Sequence, residues 1–374
     1  MRFSDIPGHD DVKQHLRALV DNGHLPHALL LEGPEGTAKF ALARALAQYI
    51  HCSDRHDGEA CGVCPSCRQH ASFRHIDTIF SFPVIKRAAG KPTLSDDYLQ
   101  EFTSFVTEHP WMDFDGWLGK LQNPNTLLAI YVDEGAELTR RLSYTAHASK
   151  YKIVLMWLPE RMQTETANKM LKLLEEPFAD TLFIMTSDRP RMLLPTIYSR
   201  VQRVAVKRYD NATLAHWLSS ENGIDTQAAA DIAIVAEGNI NKALNLIGTA
   251  SDNDMFLDNF TQLMRLAYQK KIGELKAWSL TLGAGKREPL TRFLDYCLRM
   301  LRENFMANMH RPELNVMTAK EQAFANNFSR FINERNVLPF YEAFSDARND
   351  IASNANAKIV LFDLAVTVVL MLRK

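Results

Sequence analysis

The chain has almost no net charge. Its 374 residues carry 43 Lys and Arg against 44 Asp and Glu, a formal net charge of −1. The molecule as a whole therefore exerts no general pull on nucleic acid, and any such contact must come from a local patch. A long apolar run is also missing. The most apolar stretch, KIVLFDLAVTVVLMLRK at 358–374, is interrupted by Asp363 and falls short of the ~20 residues a bilayer span needs; it reads as a buried helix. No charged segment followed by an apolar run opens the sequence, so no secretory signal is expected. The reading is of a soluble cytoplasmic protein without a membrane partner. Cysteine is scarce, five in all, and four of the five crowd into 52–67. With an odd count and no secretory signal, metal binding is a better use for them than a disulfide framework. There is no internal repeat and no low-complexity tract. What is abundant is apolar side chain, 46% of the chain, enough for sizeable cores in two or three domains.

The first two hundred residues alternate short apolar runs with helical patterns. The runs at 28–31, 129–132, 153–158 and 181–185 read as strands buried on both faces of a parallel sheet. Ala41, Ala45 and Leu46 fall at helical spacing, as do Ala167, Met170, Leu171 and Leu174. Thr164 is the predicted N-cap of the second helix, and Pro177 its stop. Alternation of this kind implies an α/β domain. Residues 90–125, rich in Gly, Pro and aromatics, break the rhythm and read as a partly helical insertion. Beyond about 206 the pattern is helical, with segments at 214–219, 228–236, 242–247, 293–306 and 356–372.

The stretch LLLEGPEGTAKF at 29–40 looks like a strand entering a phosphate-binding loop. A working loop reads G-x-x-x-x-G-K-[ST]: backbone amides cradle phosphate, the lysine reaches the β/γ-phosphates, and the hydroxyl holds Mg²⁺. Gly33, Gly36 and Lys39 stand in place. Ala38 adds a Cβ where the loop calls for positive φ, and Phe40 offers no oxygen to a metal. The acidic pair that should follow the strand at 152–156 is replaced by Trp157-Leu158, with Glu160 two residues late. Two metal-binding elements are therefore missing. ATP hydrolysis by this chain is not expected; passive nucleotide binding through Lys39 and the amides stays open, as does an ordinary helix-start role for that lysine.

Cys52, Cys61, Cys64 and Cys67 follow a C-x8-C-x2-C-x2-C pattern. Four soft ligands at this spacing suit a closed tetrahedral Zn²⁺ site with a structural role, and His51, His56 and His70 are alternative ligands nearby. Cys297, alone on an apolar helical face, reads as core. Arg189, Arg191, Arg200, Arg203, Lys207 and Arg208 cluster against a single acid, Asp188. The cluster reads either as a solvated face or, at Arg200, as a guanidinium that crosses a subunit boundary to stabilise a transferring γ-phosphate.

Taken together, GPEGTAKFALARALA at 33–47, the cysteine pattern, His75-Ile76-Asp77, TANKMLKLLEEP at 166–177, LLPTIYSRVQ at 193–202 and NANAKIVLFDLAV at 354–366 resemble the delta-prime family of bacterial DNA polymerase III clamp loaders, within the AAA+ superfamily. The similarity covers most of 1–206 and thins afterwards. The resemblance implies an AAA+ α/β domain with the zinc module (1–206), a helical lid (207–250) and an all-α collar (251–374) that packs in a ring. It implies a non-catalytic subunit that assists clamp loading onto primed DNA. It implies motor and delta-type partner subunits, contact with a sliding clamp, primer-template DNA reached through the complex, and Arg200 as a finger toward a neighbour's ATP. Val201 stands where the family motif has cysteine, and Asn241 where the lid carries a nucleotide-sensing arginine. Two other functions are weighed against this one. The first is an active AAA+ ATPase. The second is a zinc-dependent nucleic-acid binder, which Asp54, Asp57 and Glu59 disfavour by offsetting Arg55 and Arg68.

Overall fold

The computed structural model describes residues 1–87, 91–121, 127–248, 250–309 and 315–372, and of residues 248 and 250–253 the backbone alone. Two compact units result. One comprises Met1–Thr226 with Ala236–Ala243, the other Gln227–Val235 with Leu244–Lys374. The segment 207–250 is thus shared between them.

The first unit is built on seven strands: β1 (Ala28–Glu32), β2 (Arg55–His56), β3 (Glu59–Ala60), β4 (Thr78–Ser81), β5 (Lys152–Trp157), β6 (Thr181–Ser187) and β7 (Gln202–Ala205). Five form a parallel sheet in the order β4-β5-β6-β1-β7, and β2-β3 is a separate hairpin. The register sets Ala28 beside Phe183, Leu29 beside Gln202, and Ile153 beside both Thr78 and Leu182. β1 and β6 are buried along nearly their whole length, as the continuous apolar runs predict.

Its helices are α1 (Asp10–Asp21), α2 (Lys39–His51), α3 (Pro65–Ala71), α4 (Leu99–Glu108), α5 (Phe114–Lys120), α6 (Val132–Leu142), α7 (Thr164–Glu175), α8 (Pro195–Tyr198) and α9 (Asn211–Asn222); of the two that follow, α10 (Thr226–Ala236) falls in the second unit but for its end residues, and α11 (Ile240–Gly248) is divided after Ala243. α2, which follows the phosphate loop, is buried at every position but Arg44, its polar residues Lys39, Gln48 and His51 included. On the α7 side, Ala167, Met170 and Leu174 pack on Val154, Met156 and Phe183. This is an α/β unit with a parallel sheet, as the alternation of runs and helical patterns predicts.

The second unit is all-helical: α12 (Ala250–Gln269), α13 (Ile272–Leu282), α14 (Arg287–Asn308), α15 (Ala319–Phe328), α16 (Val337–Ala352) and α17 (Ala357–Met371). They enclose a core that includes Phe260, Phe293, Phe340, Phe344 and Leu361, with Cys297 fully buried as predicted.

Three expectations are corrected. The run 129–132 is no sheet strand. Ala129 and Ile130 make single bridges to Val84 and Met162, and Val132 opens α6, whose first turn carries Asp133 and Glu134, acids that favour a helix start. Gln163, not Thr164, occupies the N-cap of α7. Of the 358–374 stretch, residues 358–371 lie in α17 and 373–374 lie outside the described residues; the helix is buried on one face only, with Leu361, Leu364, Ala365 and Val368 covered and Ile359 and Leu370 more than 60% exposed. Of the insertion, residues 90 and 122–125 lie outside the described residues; the rest contains α4 and α5. Phe102 on α4 stacks on Phe82 at 3.7 Å, and Trp117 on α5 donates to the Pro83 carbonyl at 2.8 Å. The start of the insertion is held by α6: Thr93 N–H donates to Asp133 at 3.0 Å and Ser95 N–H to Glu134 at 2.8 Å.

Candidate functional site

The C-terminal ends of β1, β5 and β6 meet where a nucleotide sits in folds of this kind. Between β1 and α2 the loop 33–38 keeps its backbone form. Gly33 passes so close to the strand-end residue Val206 that a Cβ would lie 2.0 Å from that carbonyl oxygen, and Gly36 has φ +73°. Ala38 takes the left-handed conformation, φ 56°, at a cost for alanine of about 1–2 kcal/mol. One side of the loop is covered from within. A Cβ on Gly36 would lie 2.0 Å from Asn239 Oδ1, and Ile240 N–H donates to the Gly36 carbonyl at 3.0 Å. The close approach that glycine permits here serves the chain's own turn.

Lys39 is 5% exposed and forms an ion pair with Asp188 at 2.8 Å. It also donates to Thr37 Oγ1 at 3.1 Å and to the Pro34 carbonyl. A carboxylate thus stands where the lysine of a working loop meets phosphate. Phe40 points into a group of rings with Phe102 at 5.8 Å and Trp157 at 6.4 Å. Glu160 is held by the turn after β6. Its Oε1 accepts from the N–H groups of Asp188 and Arg189 at 2.9 and 3.0 Å, and burial raises its pKa. A cleft of 890 Å³ opens beside the loop, with Glu35, Asp115, Glu160, Glu165 and Asp188 in its walls alongside Arg161 and Arg189. Burial first, then the charges of Asp188, Asp113 and Asp115, push the Glu35 carboxyl up. Asn241 binds protein instead, donating to the carbonyls of Met112 at 3.1 Å and Trp111 at 3.4 Å.

Cys52, at the end of α2, meets Cys61, Cys64 and Cys67 around the β2-β3 hairpin and the start of α3. All four sulfurs lie within 4.8 Å of one another, with Cys61–Cys67 and Cys52–Cys64 at 4.0 Å. Zn–S bonds of about 2.3 Å in a tetrahedron place sulfurs about 3.8 Å apart, so the donor set fits zinc. Backbone N–H groups of Cys61, Cys64 and Cys67 point at the sulfurs of Cys52, Cys61 and Cys64 at 3.3–3.4 Å; burial nonetheless raises the Cys52 and Cys67 thiols. Burial raises the Cys64 thiol, but hydrogen bonds from Cys67 and Ser53 outweigh it and bring the pKa down to about 6. Glu59 in the hairpin ties the module to the domain through an ion pair with Arg17 of α1 at 2.7 Å.

Arg200 follows α8. Its Nη2 pairs with Glu175 at 2.6 Å and its Nη1 donates to the Thr196 carbonyl at 2.8 Å. The guanidinium stays partly exposed at the domain surface.

A family model described as DNA polymerase III, delta subunit, matches residues 8–210. The chain belongs to the DNA polymerase III delta subunit family. The delta' subunit of Haemophilus influenzae is 25% identical over 352 residues, covering 92% of this chain and 90% of that protein. The delta' subunit of Pseudomonas aeruginosa is 31% identical over 193 residues, 52% of this chain and 47% of that one. A gamma/tau subunit of Mycobacterium bovis is 27% identical over 240 residues, 63% of this chain but 34% of that protein, so the chain spans about a third of that relative's length. The delta-prime resemblance read from the sequence is therefore shown.

Within this family member, several residues escaped the sequence reading. Asp188 counted only as the acid of a basic cluster; its place directly after β6 is the signal that it faces the phosphate loop. Asn239 gave no signal beyond lying in a Gly-Asn turn. The His-Ile-Asp motif has a structural use. Asp77 accepts from the N–H groups of His147, Ala148 and Ser149 at 2.7–2.9 Å, and despite burial these bonds hold its pKa low. His75 stacks on His51 at 4.2 Å, with rings 20° from parallel, and on His70 at 4.6 Å. His51 Nε2 faces the Tyr151 carbonyl at 2.9 Å and must donate, so His51 Nδ1 accepts from His70 Nε2 at 2.9 Å. Ligand atoms of the three rings lie within 4.8 Å of one another, but in this arrangement both nitrogens of His51 are taken up by hydrogen bonds. The three histidines are neutral packing between the cysteine module and the sheet, with burial the main cause of their lowered pKa values.

Proposed function

We propose that the chain is a clamp-loader subunit of the bacterial replicative polymerase that hydrolyses no ATP itself. It assists an ATP-dependent ring of partners in placing a sliding clamp on primed DNA. The observation that carries the reading is the state of the phosphate loop: Lys39 is neutralised by Asp188 and Gly36 is covered by Asn239. With Phe40 in place of a hydroxyl and Trp157 in place of an acid, neither half of a Mg²⁺ site remains. In the proposed division, 1–206 is the AAA+ domain, 207–250 the lid and 251–374 the collar, which joins motor and delta-type subunits. Primer-template DNA is reached through the complex.

In this reading Arg200 acts in trans. Its planar fork would contact the γ-phosphate held by the adjacent subunit and stabilise the charge that develops on transfer. Its place after a short Pro-started helix and its partial exposure support the role. Cys52, Cys61, Cys64 and Cys67 would hold a structural zinc; with all four positions filled by protein, the ion would crosslink the module and activate nothing. The test is ATP turnover by the purified chain, alone. No turnover above background is expected, and Lys39→Ala changes nothing. Turnover abolished by that substitution would instead establish an active ATPase.

A further inference from the structure

We propose that Glu175 is a positioning residue for Arg200, holding the guanidinium at the surface and competing for it with the phosphate of the neighbouring subunit's ATP. The inference rests on the trans-acting role of Arg200 given above and deepens it.

Glu175 is the last residue of α7. A carboxylate there faces the negative end of the helix dipole, so the helix gains nothing from it. Its partner is Arg200, at 2.6 Å. The second anchor, from Nη1 to the Thr196 carbonyl at 2.8 Å, is a backbone contact that remains when the first is broken. Together they fix both arms of the fork along α8. Arg203, on the same surface, is a contrast: it donates to Tyr198 Oη at 2.8 Å and lies 4.7 Å over that ring, contacts an incoming phosphate does not directly replace.

The Arg200–Glu175 pair is well suited to exchange. Side-chain exposures of 37% and 47% leave it screened by water, so it is weak. Phosphate oxygens carry more charge than a carboxylate and accept the same two-pronged contact. An arriving phosphate can therefore take the place of Glu175 while Thr196 keeps the guanidinium oriented. Glu175 lowers the apparent affinity of the composite site for ATP without contacting ATP.

The test uses the reconstituted complex and follows its ATPase rate against ATP concentration. Glu175→Gln is expected to lower KM for ATP about three-fold, the scale of an exposed ion pair, with the change confined to KM. Glu175→Asp returns KM toward the parent value, and added salt narrows the difference. Arg200→Ala is run beside them. If Arg200→Ala lowers the rate but Glu175→Gln leaves KM unchanged, or lowers kcat instead, the competition is refuted and the finger stands. If Arg200→Ala has no effect, the finger reading itself falls.

Discussion

Phe40 and Trp157 lie with ring centroids 6.4 Å apart, and Phe102 from the insertion is 5.8 Å from the first and 6.1 Å from the second. Position 40 is where a magnesium-binding hydroxyl would stand and position 157 where an acid would stand. Both have become parts of one apolar contact, closed by a residue of the insertion. The departures from a working loop are therefore coupled through packing.

That coupling gives the first expectation. Phe40 is 4% exposed, so Phe40→Ala should destabilise the domain by about 3–5 kcal/mol through the cavity it leaves, read from urea unfolding. Phe40→Ser should cost a similar amount without creating Mg²⁺-dependent nucleotide binding, because Trp157 offers no oxygen and Lys39 stays on Asp188.

The cysteine module gives the second. Native mass spectrometry should find one zinc per chain. Chelation, or Cys64→Ser, should lower the thermal midpoint and expose the amides of α3 and the β2-β3 hairpin to hydrogen exchange, because the metal closes a short loop with little core of its own. Full retention of the midpoint after metal removal would contradict a structural role.

A buried acid sets the third. Burial raises the Glu134 carboxyl to about 6, against an unfolded value of 4.5. The folded state therefore binds the proton more tightly than the unfolded one. Its contribution is present below about pH 4.5 and is lost as pH rises toward 6, a loss of about 2 kcal/mol for a shift of this size. Glu134→Gln should flatten the stability profile across that window, and hydrogen exchange at Ser95 should report the same change locally.

Much of this was legible in the sequence, for identifiable reasons. The strands at β1, β5 and β6 were readable because burial on both faces leaves an unbroken apolar run. β4 was not readable, being only four residues long. The loss of the Mg²⁺ ligands was visible in Phe40, Trp157 and Leu158, since no conformation gives those side chains the missing oxygens. What fills the space was invisible. The Lys39–Asp188 pair joins residues 149 positions apart, and Asn239 reaches Gly36 from a turn more than two hundred residues downstream. Such contacts depend on the assembled topology. The four cysteines were legible because their spacing is local; the stacking of His75 on His51 and His70 was not, because it needs β4 brought beside α2 and α3.

The most direct test of the central claim is the ATPase rate of the reconstituted complex with Arg200→Ala in this chain, at saturating ATP and primed DNA. The account predicts that the variant folds, assembles and lowers the complex rate, with the loss confined to the one site this chain faces. An unchanged rate in a fully assembled complex would contradict it.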